Sequence, residues 1–155
     1  DTDRSRGLGD VYKRQANEPD IAYAHLFSYF KGEEWRTQKE TQRLLDKYFT
    51  TKPDGIPGND DTGTMSSWAI FNMIGFYPDC PGLPEYTLTT PVFNKVTIRL
   101  DPKWYKENEL VIETNRTQPG TLYIDKVLLD GKKFNKYHIT HDELVHGKYL
   151  KFDLK

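Results

Sequence analysis

Hydrophobic and polar positions follow two different periods along the chain, and the change falls near residue 85. Before it, apolar residues recur at helical spacing between long loops. After it, they alternate in short runs rich in β-branched residues. The spacing predicts a first helix from about Pro19 to Lys31, with Ile21, Ala24, Phe27 and Phe30 recurring along it. Proline suits its first turn, and Gly32 suits the position just past its end. A second helix is predicted from Glu34 to Tyr48, with Trp35, Gln38, Gln42, Leu45 and Phe49 on one face and Pro53 beyond its stop. A third starts near Thr64 and ends at Gly75. Met65, Trp68, Ala69, Phe71, Asn72 and Met73 surround it, the pattern of a helix buried on all sides.

FYPDCPGLPEY, with three prolines, then turns the chain out of the helical region. Strands are predicted at Glu85–Thr89, Lys95–Leu100, Glu109–Thr114, Thr121–Leu129, Lys132–Phe134 and Tyr149–Leu154. Asp130-Gly131 is a hairpin turn signal between two of them. The fold class is therefore α+β: helices first, then antiparallel strands that form a sandwich or a sheet contributed to one. The expected division is a tail at 1–15, a helical part at 16–84 and a β-region at 85–155.

Composition narrows this. Hydrophobic residues are 36% of the chain, low for a self-contained globule, while aromatics reach 14%; a short chain of this kind is expected to belong to something larger. The net charge of −1 gives no electrostatic case for nucleic acid or an anionic membrane. No apolar run approaches the ~20 residues that span a bilayer. Cys80 is the single cysteine, which excludes an internal disulfide and a cysteine-based zinc site. The chain opens on Asp, not Met, and DTDRSRGLGDVYKRQ shows no apolar periodicity. LGDVYKRQ resembles translated sequencing-adapter sequence, so residues 1–15 are read as a non-native tail and the natural N-terminus as missing.

Two constellations could carry chemistry. In Gly58-Asn59-Asp60-Asp61-Thr62-Gly63, adjacent carboxylates sit on a glycine-flanked loop that opens onto an apolar helix. Like charges repel, but the free N–H groups and dipole of a helix N-terminus favour anions, so a carboxylate there can stay ionised and act as a general base on water. The ordinary alternative is that Asp61 caps the helix and Asp60 belongs to a turn. In Asn17-Glu18-Pro19, side-chain and backbone oxygens suit a hard cation, and the alternative is a simple dipole contact. An EF-hand reading of NDDTG fails, because the alternating acids and the closing Glu are absent. His25, His138, His141 and His146 have no metal-ligand spacing, and His25 suits an interior position. Asn115-Arg116-Thr117 fits the N-glycosylation triplet, and Trp35 and Trp68 are either sugar platforms or core.

Read together, ANEPDIAYAHLFSYF, WRTQ, PDGIPGNDDTGTMSSWAIFNMIGFYPDCPG, PEYTLTTPVFNKVTI and YHITHDEL resemble, in order, the C-terminal region of family 92 glycoside hydrolases. The likeness runs from about Asn17 to the end. It implies a Ca²⁺-dependent exo-α-mannosidase that inverts the anomeric centre, acting on mannose-containing oligosaccharides outside the cytoplasm. It also implies that the helices are the last of an (α/α)6 barrel and that an N-terminal domain of the same chain is missing. By the resemblance Asp61 is the general base, Asp60 and Asn59 orient it or bind substrate, and Asn17 and Glu18 lie at the calcium site. Which of Asp60 and Asp61 is the base stays open. A His often follows Asn-Glu-Pro in this family; Asp20, Ile21 and Ala22 stand here, so no sugar contact is carried over to that stretch. No residue matches the segment bearing the general acid, so the chain alone is expected not to hydrolyse mannosides. Glu18 and Asp60-Asp61 should approach each other. The readings set against this one are another (α/α)6 glycosidase, or a non-catalytic carbohydrate-binding module built on Trp104, Tyr105, Tyr123, Phe134 and Tyr137.

Overall fold

The computed structural model describes residues 21–56 and 58–155. The tail at 1–15, Asn17, Glu18 and the start of the first predicted helix lie outside these residues. The first described element is a 3-10 helix at Tyr23–Tyr29, not an α-helix. Its backbone bonds run from His25 N–H to the Ala22 carbonyl and from Phe30 N–H to the Phe27 carbonyl. In that geometry residues three apart eclipse one another. His25 and Ser28 therefore form one edge, and both are buried. Gly32 comes next at φ 88°, past the end as expected.

Helix α1 spans Glu34–Tyr48, as predicted, but on a different face. Thr37, Gln38, Thr41, Leu44 and Leu45 are buried, whereas Trp35 is 41% exposed. The buried face is polar because its groups are paired. Gln38 Oε1 accepts from Ile124 N–H at 2.9 Å, and Thr41 Oγ1 donates to the Thr37 carbonyl at 2.8 Å. Helix α2, Thr64–Ile74, lies between two left-handed glycines, Gly63 and Gly75. It buries Met65, Trp68, Ala69 and Asn72 but leaves Ile70 61% exposed, so it is not buried on all sides.

Strands β1 (Phe76–Tyr77), β2 (Glu85–Leu88), β3 (Lys95–Arg99), β4 (Glu109–Arg116), β5 (Ile124–Leu129), β6 (Lys132–Phe134), β7 (His138–Thr140) and β8 (Tyr149–Leu154) complete the fold, with helix α3 (His141–His146) between the last two. Elements β1, β7 and α3 were not anticipated. For α3 the signal was present. Thr140 and Glu143 form a reciprocal capping box, the side chain of each accepting from the other's backbone N–H. The strands make two sheets, β1-β2-β7 and β3-β4-β8-β5-β6. The second is mixed, because β4 and β8 run parallel from Val111↔Tyr149 to Arg116↔Leu154. A purely antiparallel region is therefore corrected: β8 arrives through the β7–α3 crossover and enters beside β4 in the same direction. The Asp130-Gly131 turn is as predicted, with both residues at positive φ (50° and 76°), the pattern of a type I′ hairpin.

Among the described residues the interior has two clusters. One, among the strands, includes Leu88, Ile112, Ile139, Leu150 and Phe152. The other joins Ala24, Leu44, Leu45, Trp68, Ala69 and Tyr77. Strand β1 bridges them, because successive strand residues face opposite ways: Phe76 enters the first and Tyr77 the second. Gly75 fixes the approach of α2 to this strand. Its φ is 113°, and a Cβ there would stand 2.7 Å from Pro91 Cγ. Gly75→Ala combines left-handed strain with that clash and should cost roughly 2 kcal/mol or more. Urea titration of the variant against the parent chain checks this.

Candidate active site

The loop before α2 is strained in a specific way. Asp61, Thr62 and Gly63 take φ values of 47°, 62° and 90°, three left-handed residues in succession. Thr62 is β-branched and Asp61 is not glycine, so both positions are costly. The left-handed turn folds the chain back over the helix start. As a result Asp60, which precedes the turn, caps the helix and Asp61 does not. Asp60 Oδ1 accepts from Ser66 N–H at 2.8 Å, Oδ2 accepts from Ser66 Oγ at 2.7 Å, and the Asp60 carbonyl accepts from Met65 N–H at 3.2 Å. Together the Ser66 hydroxyl and backbone donors hold the Asp60 carboxyl below its ordinary pKa.

Among the described residues Asp61 is engaged only through its backbone. Its carbonyl accepts from Thr64 N–H at 3.3 Å and from Thr64 Oγ1 at 2.7 Å. Its half-buried carboxylate has no hydrogen-bond or ion-pair partner among the described residues. Among the described residues the two neighbouring acids are thus divided: one is tied to the helix start by both oxygens, and the other has no side-chain partner. Asn59 is exposed beside them. In the ordinary alternative Asp61 is the cap and Asp60 the turn residue; the structure reverses the two, and Ser66, which sequence reading missed, is the residue that sorts them.

Helix α2 also anchors the point where the described chain begins. Trp68 Nε1–H donates to the Ile21 carbonyl at 2.9 Å. One turn further on, Asn72 Nδ2 donates to the Trp68 carbonyl at 2.9 Å, and its Oδ1 accepts from His25 Nε2 at 3.0 Å. Trp68 is therefore core, 3% exposed and stacked on Phe49 at 5.4 Å, not a sugar platform. Trp35 is exposed, but the Arg36 guanidinium lies 5.4 Å from its ring centre and Lys39 Nζ 5.9 Å.

His25 is fully buried, as its place in the sequence suggested, and stacks on Tyr77 at 4.6 Å. Burial pushes its pKa below the ordinary 6.5, with the Asn72 bond and Asp79 opposing in part. The ring stays neutral in the folded chain while the unfolded chain takes up a proton below about pH 6.5. Stability is therefore full above that pH and falls as pH drops through it towards the folded pKa. Urea midpoints at pH 7.5 and 5.5 should differ in that direction, and His25→Gln should narrow the difference.

Ser28 and His138 resemble a nucleophile–base pair at 3.0 Å, but the protons run the wrong way. Ser28 Oγ donates its one proton to the His25 carbonyl at 2.7 Å, so His138 Nε2–H donates to Ser28. Asp79 is occupied by Tyr29 Oη at 2.9 Å and Thr87 Oγ1 at 2.8 Å. Among the described residues no group of three or more His, Cys, Asp or Glu could hold a metal. No helix of the described residues is long and apolar enough to cross a membrane. Of the aromatic residues in the strand half, Trp104 is 72% exposed, whereas Tyr105, Tyr123, Phe134 and Tyr137 are half-buried.

Residues 2–155 match the glycosyl hydrolase family 92 catalytic domain. A family GH92 α-mannosidase of Bacteroides thetaiotaomicron, solved with mannoimidazole, superposes with a TM-score of 0.82 at 33% identity, over 91% of this chain and 18% of that one. A family GH92 inverting mannosidase of Bacteroides thetaiotaomicron VPI-5482 gives 0.79 at 34% identity, over 92% and 19%. An "uncharacterized secreted glycosidase" of Arthroderma benhamiae is 29% identical over 138 residues, 89% of this chain and 18% of the relative. The chain thus spans under a fifth of the length of these relatives.

Proposed function

The chain belongs to glycosyl hydrolase family 92, and from that premise we propose that it is the C-terminal part of an inverting, calcium-assisted exo-α-mannosidase in which Asp61 is the general base. On this reading residues 16–84 supply the last helices of an (α/α)6 barrel and residues 85–155 a terminal β-region. The observation that carries the assignment is the division of labour in the loop. Asp60 spends both carboxylate oxygens on Ser66, whereas the Asp61 carboxylate has no partner among the described residues. A base must have an open lone pair for the proton it takes.

In the reaction, water attacks the anomeric carbon of a terminal α-mannoside from the face opposite the aglycone. Asp61 takes the water's proton as the new C–O bond forms. The bond to the aglycone oxygen breaks, and a carboxylic acid from the preceding polypeptide protonates that oxygen. The two carboxyl groups of an inverting pair stand ~6.5–9.5 Å apart, leaving room for the water. Because the acid lies outside this chain, the 155 residues alone should release no mannose.

Oxygen donors suit a hard cation, and this loop offers only oxygens: the Asp61 carboxylate, the Asn59 amide and backbone carbonyls. These do not amount to a cation site by themselves. Asn17 and Glu18 would complete the set and hold Ca²⁺. Glu18 is three residues from Ile21, a reach of at most about 10 Å. The Ile21 carbonyl is in turn fixed to α2, the helix on which the loop sits. When bound, the ion would engage the sugar's hydroxyls and favour ring distortion. The match to a secreted glycosidase supports a site of action outside the cytoplasm.

The test is the full-length protein on an aryl α-mannoside in the presence of Ca²⁺, with the first-formed anomer followed by proton NMR. β-Mannose should appear first and relax to the mixture. Initial α-mannose would exclude inversion, and no release would exclude the activity.

A further inference from the structure

A polar groove of about 460 Å³ lies where the end of the 3-10 helix, the start of α1, strand β2 and strand β7 meet. That volume falls within the ~300–1,000 Å³ of small-molecule sites. The Tyr29 ring, 49% exposed, lines it, with the His138 ring 4.6 Å away. Both are held in place: the Tyr29 hydroxyl donates to Asp79 Oδ2, and His138 Nε2–H donates to Ser28. In the neutral ring this leaves His138 Nδ1 as an acceptor without a partner among the described residues. The Glu85 carboxylate also has no hydrogen-bond or ion-pair partner among the described residues, and Glu34 uses one oxygen on Gly32 N–H. Asn135 adds an exposed amide.

Lys31 and Lys136 line the same groove as the two glutamates. An ion of either sign would therefore meet like charge there. A neutral polyhydroxyl ligand escapes that conflict, because its hydroxyls donate to carboxylates and accept from ammonium or amide N–H groups. An aromatic ring beside such polar groups gives the apolar face of a pyranose a surface to lie on. We infer that this groove is a carbohydrate-binding site for a neutral glycan, with one sugar ring on Tyr29 and its hydroxyls shared among Glu34, Glu85, Asn135 and His138. The choice of mannan as that glycan rests on reading the chain as part of a mannosidase. Neither Asp60 nor Asp61 lines the groove, so its ligand contacts do not involve the proposed base. A second hold of this kind raises the local concentration of a polymeric substrate without touching the bond that breaks.

The test is affinity electrophoresis of the full-length protein in native gels cast with and without soluble α-mannan. The parent should be retarded by mannan. Glu85→Gln, which keeps the shape and loses the charge-assisted acceptor, should bind about ten-fold more weakly. Tyr29→Ala should lose the retardation as well, and both variants should turn over a small aryl α-mannoside at the parent's rate. Urea midpoints show whether Tyr29→Ala still folds, and the isosteric Glu85→Gln carries the test if it does not. Retardation of Glu85→Gln equal to the parent's, or none in the parent, would overturn the inference. Retardation by gels carrying polylysine or polyglutamate but not by mannan would assign a charged ligand and overturn it equally. A parent that releases no mannose but shows the mannan retardation, weakened in Glu85→Gln, sinks the activity proposal and leaves this one standing; turnover without retardation does the reverse.

Discussion

Trp68→Ala should lower the folding stability of this chain by about 3–5 kcal/mol, the range for removing a buried aromatic without collapse of the site. The indole is 3% exposed and lies against three rings: Phe49 at 5.4 Å, His25 at 6.1 Å and Tyr77 at 6.3 Å. It also donates the 2.9 Å bond to the Ile21 carbonyl, so truncation removes both the packing of the helical cluster and the anchor of the entering chain. Trp68→Phe separates the two, keeping most of the ring while deleting the N–H. Its cost should be smaller, with about 1 kcal/mol from the lost hydrogen bond. Equilibrium urea unfolding of the three proteins measures both. An alanine variant within about 1 kcal/mol of the parent would mean that the indole is not the keystone of this cluster.

Asp61→Asn in the full-length enzyme should lower kcat by about 10³-fold, within the range for removing a general base. The substitution is isosteric, and Asn tolerates the left-handed backbone at least as well as Asp. The Thr64 bonds go to the Asp61 backbone carbonyl and survive the change. The loss therefore falls on proton acceptance and not on folding, and KM should move far less than kcat. Matching urea midpoints for the two proteins would confirm that the fold is untouched.

Much of the fold could be read from spacing. The bounds of α1, the glycine at the end of α2, the Asp130-Gly131 hairpin and strands β6 and β8 follow from period and turn chemistry alone. What escaped was set by partners distant in sequence. The buried face of α1 is Thr- and Gln-rich because Gln38 meets the backbone of Ile124 across 86 residues, and no local hydrophobic count can register that. The first helix tightened to 3-10 form where His25 and Ser28 meet α2 and β7 through Asn72 and His138. The parallel pairing of β8 with β4 depends on a crossover whose helix was legible only as the capping box Thr140-x-x-Glu143. At the site, sequence brought the two aspartates together but could not rank them. Their ranking comes from three consecutive left-handed residues, a conformation that Thr62 and Asp61 disfavour and that only the tertiary setting imposes.

Side-by-side turnover of Asp60→Asn and Asp61→Asn in the full-length protein, with Ca²⁺ present, bears most directly on that ranking. With Ser66 still able to donate its backbone N–H to an amide oxygen, Asp60→Asn should keep activity within about ten-fold, while Asp61→Asn should lose about 10³-fold. Full turnover in Asp61→Asn would show that Asp61 does not take the proton from water, and a deeper loss in Asp60→Asn would give that role to the tethered carboxylate.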